Sequence, residues 1–143
     1  MQDDTIKLLR ECNAGIKMGV RTLDEVMDHV KDCRLKEILL QSKNTHEMLG
    51  NETHGYLNQY HDQGKEPTPV AKMMSWMKTN MMLTGEDSDR IVADVLTDGC
   101  NMGTKSLYKY LHQYPAAQHE VKELTKDVIQ AEEKLIKELR EYL

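Results

Sequence analysis

A chain of 143 residues with 19 Lys and Arg against 24 Asp and Glu carries a formal charge of -5. It has no basic block, so the electrostatic footprint of a phosphate-backbone binder is missing and nucleic acid is not an expected partner. No apolar run approaches the ~20 residues that span a bilayer, and the opening MQDDTIKLL lacks the charged and apolar regions of a signal peptide; no membrane partner and a cytoplasmic location are expected.

The length suits one domain, 1–143, with one core. Cys12, Cys33 and Cys100 are an odd number at spacings that match no zinc or redox motif, so reduced thiols are expected. Ten Met, one Trp and no Phe leave a core of Leu, Ile, Val and Met, which suits helices better than strands. The fold class expected is all-α.

From Asp4 to Val30, Ile6, Leu9, Ile16, Val20, Leu23, Met27 and Val30 recur at steps of three and four, with Asn13 taking one place in the series; this is a long amphipathic helix. Asp32 can cap a second helix whose stripe runs Leu35, Leu39, His46, Leu49, Thr53, Tyr56 and Tyr60 before Gly64, Pro67 and Pro69 stop it. Thr68 and Pro69 read as an N-cap and first helical position for a short segment carrying Val70, Met73, Met74, Met77 and Met81 on one face and ending near Gly85. The acidic run from Glu86 to Asp89 opens a third helix that Pro115 interrupts, and a fourth runs from about Ala116 to the end with Val121, Leu124, Val128, Ala131, Leu135, Leu139 and Tyr142 at heptad-like spacing. Helices one and two are joined by almost no linker, as are three and four. The reading is therefore two antiparallel hairpins joined by one crossover that holds the short helix.

The segments from Gly15 to Leu23 and from Gly99 to Leu107 share one pattern, G-x-x-M-G-x-(R/K)-(T/S)-L. Helices two and four echo each other more faintly, through Glu52-x-x-x-Tyr56-Leu57 and Glu138-x-x-x-Tyr142-Leu143, as a duplicated hairpin would leave them. Glycine in a helix interior costs about 0.5–1 kcal/mol relative to Ala. Gly15, Gly19, Gly99 and Gly103 are therefore expected to serve helix packing, through close approach of neighbouring backbones where the bundle is tightest.

With that layout, Asn13-x-Gly15-Ile16-Lys17-x-Gly19 on helix one, and Gly64-x-x-Pro67 leading into a Trp-containing crossover, the chain resembles the small bacterial ferritin-like four-helix-bundle proteins of unknown function. The resemblance implies a ferritin-like four-helix bundle. Ferritin-like oxidases hold a di-metal centre with one Glu from each of two helices and Glu-x-x-His from each of the other two. This sequence contains no Glu-x-x-His, and its repeated motif presents Gly, Met and Gly where carboxylates would stand; a di-iron site of the usual kind is not expected.

Two weaker sets of metal donors and one candidate interface remain. His46 on the stripe of helix two, with Glu52, Glu132 and Glu138, could form a reduced site for iron or another transition metal, although a hydrogen-bonded core histidine and solvated glutamates explain the same residues. Cys12, Met18, Cys100 and Met102 offer soft sulfur donors, yet are ordinary core fillers. Met73, Trp76, Met77 and Met81 make an adaptable apolar surface for a partner or a second copy, or simply lie over the bundle. No residue is assigned to catalysis, and the balance leans against an enzyme. The leading expectation is a non-catalytic ferritin-like bundle acting through protein interaction or self-association, with no cofactor; the alternative is a metal-binding or redox protein of the ferritin-like superfamily with a non-standard site.

Overall fold

The computed structural model describes residues 2–62 and 87–143. Among them every regular element is helical: α1 (Gln2–Met27), α2 (Cys33–Gln59), α3 (Ser88–Gln113) and α4 (His119–Leu139), with a closing 3-10 turn at Arg140–Tyr142. The short crossover helix expected between Pro69 and Gly85 lies outside the described residues.

Helix boundaries follow local chemistry. Asp32 has extended backbone and its carboxylate accepts a hydrogen bond from the Leu35 amide at 2.9 Å, satisfying one orphan donor of the first turn of α2. The backbone bond and the Tyr142 hydroxyl that also donates to it hold this carboxyl below its ordinary pKa. α1 stops at Met27, three residues before the expected Val30, yet Val30 stays buried. α4 begins at His119 rather than near Ala116, because the α3–α4 turn is tied to the first turn of α1: the Ala116 amide donates to Asp4 at 3.0 Å and the Gln118 amide to the Thr5 hydroxyl at 2.9 Å.

Three tethers fix the direction of each helix. Arg10 on α1 forms a two-pronged ion pair with Asp62, its Nε 3.1 and 3.2 Å from the carboxylate oxygens, so α2 ends beside the start of α1. At the opposite end the Lys31 and Asp32 amides donate to Asp89 at 2.7 and 3.1 Å, placing the start of α3 beside the α1–α2 turn. The Tyr142 hydroxyl reaches Asp32 at 3.2 Å, bringing the end of the chain to the same place. Two antiparallel hairpins result, with α2 ending and α3 beginning at opposite ends of the bundle. Packing between α2 and α4 ties the hairpins together, while α1 meets α3 more sparingly.

The core falls into two clusters. One, with Leu23, Val26, Leu35, Leu39, Val92, Leu96 and Leu139, sits at the end holding the α1–α2 turn; the other, with Leu8, Leu9, Leu57, Val121, Leu124 and Ile129, fills the opposite end. Each fully buried leucine contributes about 1.5–3 kcal/mol by removal from water. Between the two lies a different layer, made from the repeated glycines.

Candidate ligand cavity in the middle of the bundle

The layer between the clusters encloses a cavity of about 290 Å3. Its wall is the internal repeat itself. Gly15, Met18, Gly19, Thr22 and Leu23 from α1 line it, as do their counterparts Gly99, Met102, Gly103, Ser106 and Leu107 from α3. Of the shared motif positions only the basic one stays out: Arg21 and Lys105 are exposed. Among the lining residues of α1 and α3, Met18 and Gly15 are half-buried and Met102 is 58% exposed.

The glycines make this space in a particular way. A Cβ at Gly19 would lie 3.0 Å from Cδ2 and 3.2 Å from Nε2 of His46, and one at Gly103 would lie 2.7 Å from Oε2 of Glu132. A Cβ at Gly15 would meet nothing within 4 Å. The expected close approach of backbones at a tight middle is therefore replaced by close approach of glycine to a neighbour's side chain at the edge of a void. The two contacts are equivalents: His46 stands six residues before Glu52, and Glu132 six residues before Glu138, the two glutamates that the fainter repeat aligns. Each hairpin thus sets a motif glycine against one buried polar side chain.

His46 is 2% exposed and its Nδ1 lies 2.7 Å from the Ser42 carbonyl. A carbonyl only accepts, so Nδ1 carries the proton and the neutral ring keeps Nε2 as a bare acceptor. Burial holds the imidazole below its ordinary pKa, against the opposing pull of the Ser42 bond. Glu132 is 7% exposed, and its Oε2 has no hydrogen-bond partner among the described residues. Burial raises its carboxyl to about 8, so at neutral pH it is mostly protonated.

Of the four residues expected as metal donors, the bundle brings His46 and Glu132 to the cavity; Glu52 is exposed on α2 and Glu138 is half-buried on α4, neither at its wall. No group of three or more His, Cys, Asp or Glu suited to a metal ion forms among the described residues. The donor set does not fit the di-metal centre of the ferritin-like pattern, which needs several charged oxygen ligands to offset two buried cations.

The sulfur set is dispersed in the same way. Cys12 is buried with its sulfur 3.2 Å from the Thr125 hydroxyl, away from the cavity, whereas Cys100, Met18 and Met102 line it. Burial pushes the Cys12 thiol to about 12 and raises that of Cys100 as well, so neither is an activated nucleophile. Cys33 is free and exposed. Met73, Trp76, Met77 and Met81, the expected interface, lie outside the described residues. No helix among the described residues is long and apolar enough to cross a membrane.

Sequence reasoning named His46, Glu132 and the four glycines but assigned them to two unrelated roles, and it passed over Thr22 and Ser106. The joining signal was present: the two repeats align Gly19 with Gly103 and His46 with Glu132. Comparison of the chain with protein-family models, curated proteins and solved structures finds no match.

Proposed function

We propose that the chain is a non-catalytic ferritin-like bundle that takes a small, largely apolar molecule into the cavity between its hairpins. The observation that carries this reading is the coincidence of the repeated motif with the cavity wall: every shared position except the basic one lines the same void. A bundle selected only for stability would fill that layer with Leu and Ile, since empty volume costs about 24 cal/mol per Å3 in core substitutions. Here stand four helical glycines and a buried carboxyl oxygen, Oε2 of Glu132, without a hydrogen-bond partner among the described residues, each at a cost in stability. A mostly apolar wall with a few convergent polar groups is the usual form of a small-molecule site. The placement of α2 and α3 ends supports the ferritin-like connectivity. The interaction reading has its residues, Met73, Trp76, Met77 and Met81, outside the described segments, and no observation among the described residues carries it.

The test is binding of toluene and 2-phenylethanol by calorimetry and ligand-observed magnetic resonance. Saturable one-to-one binding of at least one is expected, with loss in Gly15→Leu or Ser106→Leu, which add volume at the wall. Absence of binding by any small apolar probe, or binding undiminished in both variants, overturns the proposal.

A further inference from the structure

We infer that the cavity selects an organic cation, a small hydrocarbon amine whose ammonium group sits on Glu132 while its apolar body fills the space between Met18, Met102 and Leu135. The inference rests on the ligand-binding reading above and adds the chemical class.

The charged and titratable groups at the cavity wall are two carboxyls, Glu132 and Glu11, and the imidazole of His46; Thr22, Ser106 and Tyr110 add hydroxyls, of which that of Thr22 donates to the Met18 carbonyl of its own helix. Glu132 lines the cavity and is 7% exposed, and its buried Oε2 has no hydrogen-bond partner among the described residues. His46 presents Nε2, because its Nδ1 proton is committed to the Ser42 carbonyl. The remaining heteroatoms include the thioethers of Met18 and Met102, which are weak acceptors. No Lys or Arg among the described residues lines the wall, while Glu11 adds a second carboxylate to it. An anionic ligand meets two carboxyls and no lysine or arginine among the described lining residues. A protonated amine brings three donors and the missing counter-charge, which lets the Glu132 carboxylate ionise in place.

Size and composition set the rest of the molecule. A cavity of roughly 150 Å3 lined by apolar side chains takes a benzene ring, so about 290 Å3 has room for a ring with a short alkylamine chain. The thioethers of Met18 and Met102 at the wall are polarisable and adapt to such a body. A bare metal ion fits less well, since it needs more first-shell donors than His46 and Glu132 supply.

The experiment compares 2-phenylethylamine with its near-isosteres 2-phenylethanol and 3-phenylpropanoate, on the full chain and on Glu132→Gln, by isothermal calorimetry at constant ionic strength. The expected result is that the amine binds wild type at least tenfold more tightly than the alcohol, with the acid weakest. In Glu132→Gln the amine should lose at least tenfold more affinity than the alcohol does, with helicity and cooperative unfolding retained. Equal affinity of alcohol and amine for wild type, or full retention of amine affinity in Glu132→Gln, overturns the cation inference and leaves the cavity reading standing. If neither compound nor toluene binds, both fall. Should the variant not fold, the wild-type amine-to-alcohol ratio still decides.

Discussion

The two hairpins meet in the same layer with the same backbone arrangement and opposite chemistry. In the first, Gly19 leaves room for His46, whose ring is anchored to the Ser42 carbonyl of its own helix. In the second, Gly103 leaves room for Glu132, whose Oε2 is anchored to nothing among the described residues. The missing Cβ is what the repeat preserves; the side chain that occupies the space has diverged. The two equivalent polar residues have thus parted, one satisfied within its helix and the other with a buried oxygen that has no partner among the described residues. Burial disfavours the charged form of both, so they depart from their ordinary pKa values in opposite directions.

The largest effect expected from that divergence is a pair of opposed pH dependences. Glu132 is raised from 4.5 to about 8, so the folded state binds its proton more tightly than the unfolded chain. Its contribution is fully present below pH 4.5 and is lost as pH rises through about 8, by at most about 5 kcal/mol. His46 is lowered from 6.5, so the folded state binds its proton less tightly, and stability is lost as pH falls below 6.5. The groups that share this cavity or sense the Glu132 charge are Glu11 and Cys12 from α1, His46 from α2, and Cys100 and Tyr110 from α3. Urea midpoints of wild type, Glu132→Gln and His46→Gln across pH 4–9 separate the two. Relative to wild type, Glu132→Gln should gain stability progressively towards alkaline pH and His46→Gln towards acid. Parallel profiles for all three would show that neither group is desolvated as described.

A smaller effect, of about 1–3 kcal/mol, comes from filling the glycine space. Gly19→Leu drives a side chain into the His46 ring, and Gly103→Leu into the Glu132 carboxyl. Both should lower the chemical denaturation midpoint while helicity persists. The Gly103 variant should also abolish the alkaline loss of stability, if the displaced carboxyl reaches solvent. Unchanged midpoints for both would contradict the contacts that define the layer.

Most of the architecture was legible because helices announce themselves at short range. Steps of three and four located each of the four described helices, and Asp32 was found as a cap from residue type and position alone. Boundaries slipped where a distant residue decided them: the Asp4 and Thr5 side chains hold the turn before α4, and nothing near Ala116 in sequence reports that. The glycine repeat was equally visible, but its meaning was not. Gly-x-x-x-Gly spacing describes both a tight seam and a hollow one, and the choice depends on what the facing helix presents. Glu132 was visible as a carboxylate at a helix edge; that it lies buried against Gly103, its Oε2 without a hydrogen-bond partner among the described residues, is a property of packing between α3 and α4.

The smallest effect tests the hollow directly, through alanine. At Gly15 a Cβ meets nothing within 4 Å, so Gly15→Ala should gain the helix-propensity term, about 0.5–1 kcal/mol, without any opposing contact. At Gly19 and Gly103 the same term is opposed by a Cβ placed 3.0 Å from the His46 ring and 2.7 Å from the Glu132 carboxyl, which must move. The His46 ring is held by its bond to Ser42 and moves at the expense of that bond. Glu132 Oε2 has no bond to break and a cavity beside it, so its displacement costs less than its shorter contact suggests. The expected order of stability is therefore Gly15→Ala above wild type, with Gly103→Ala between Gly15→Ala and Gly19→Ala. Urea denaturation at pH 6, where Glu132 is mostly protonated, resolves differences of this size. A Gly15→Ala variant no more stable than the other two would place backbone or side chains against Gly15 and close the cavity on that side.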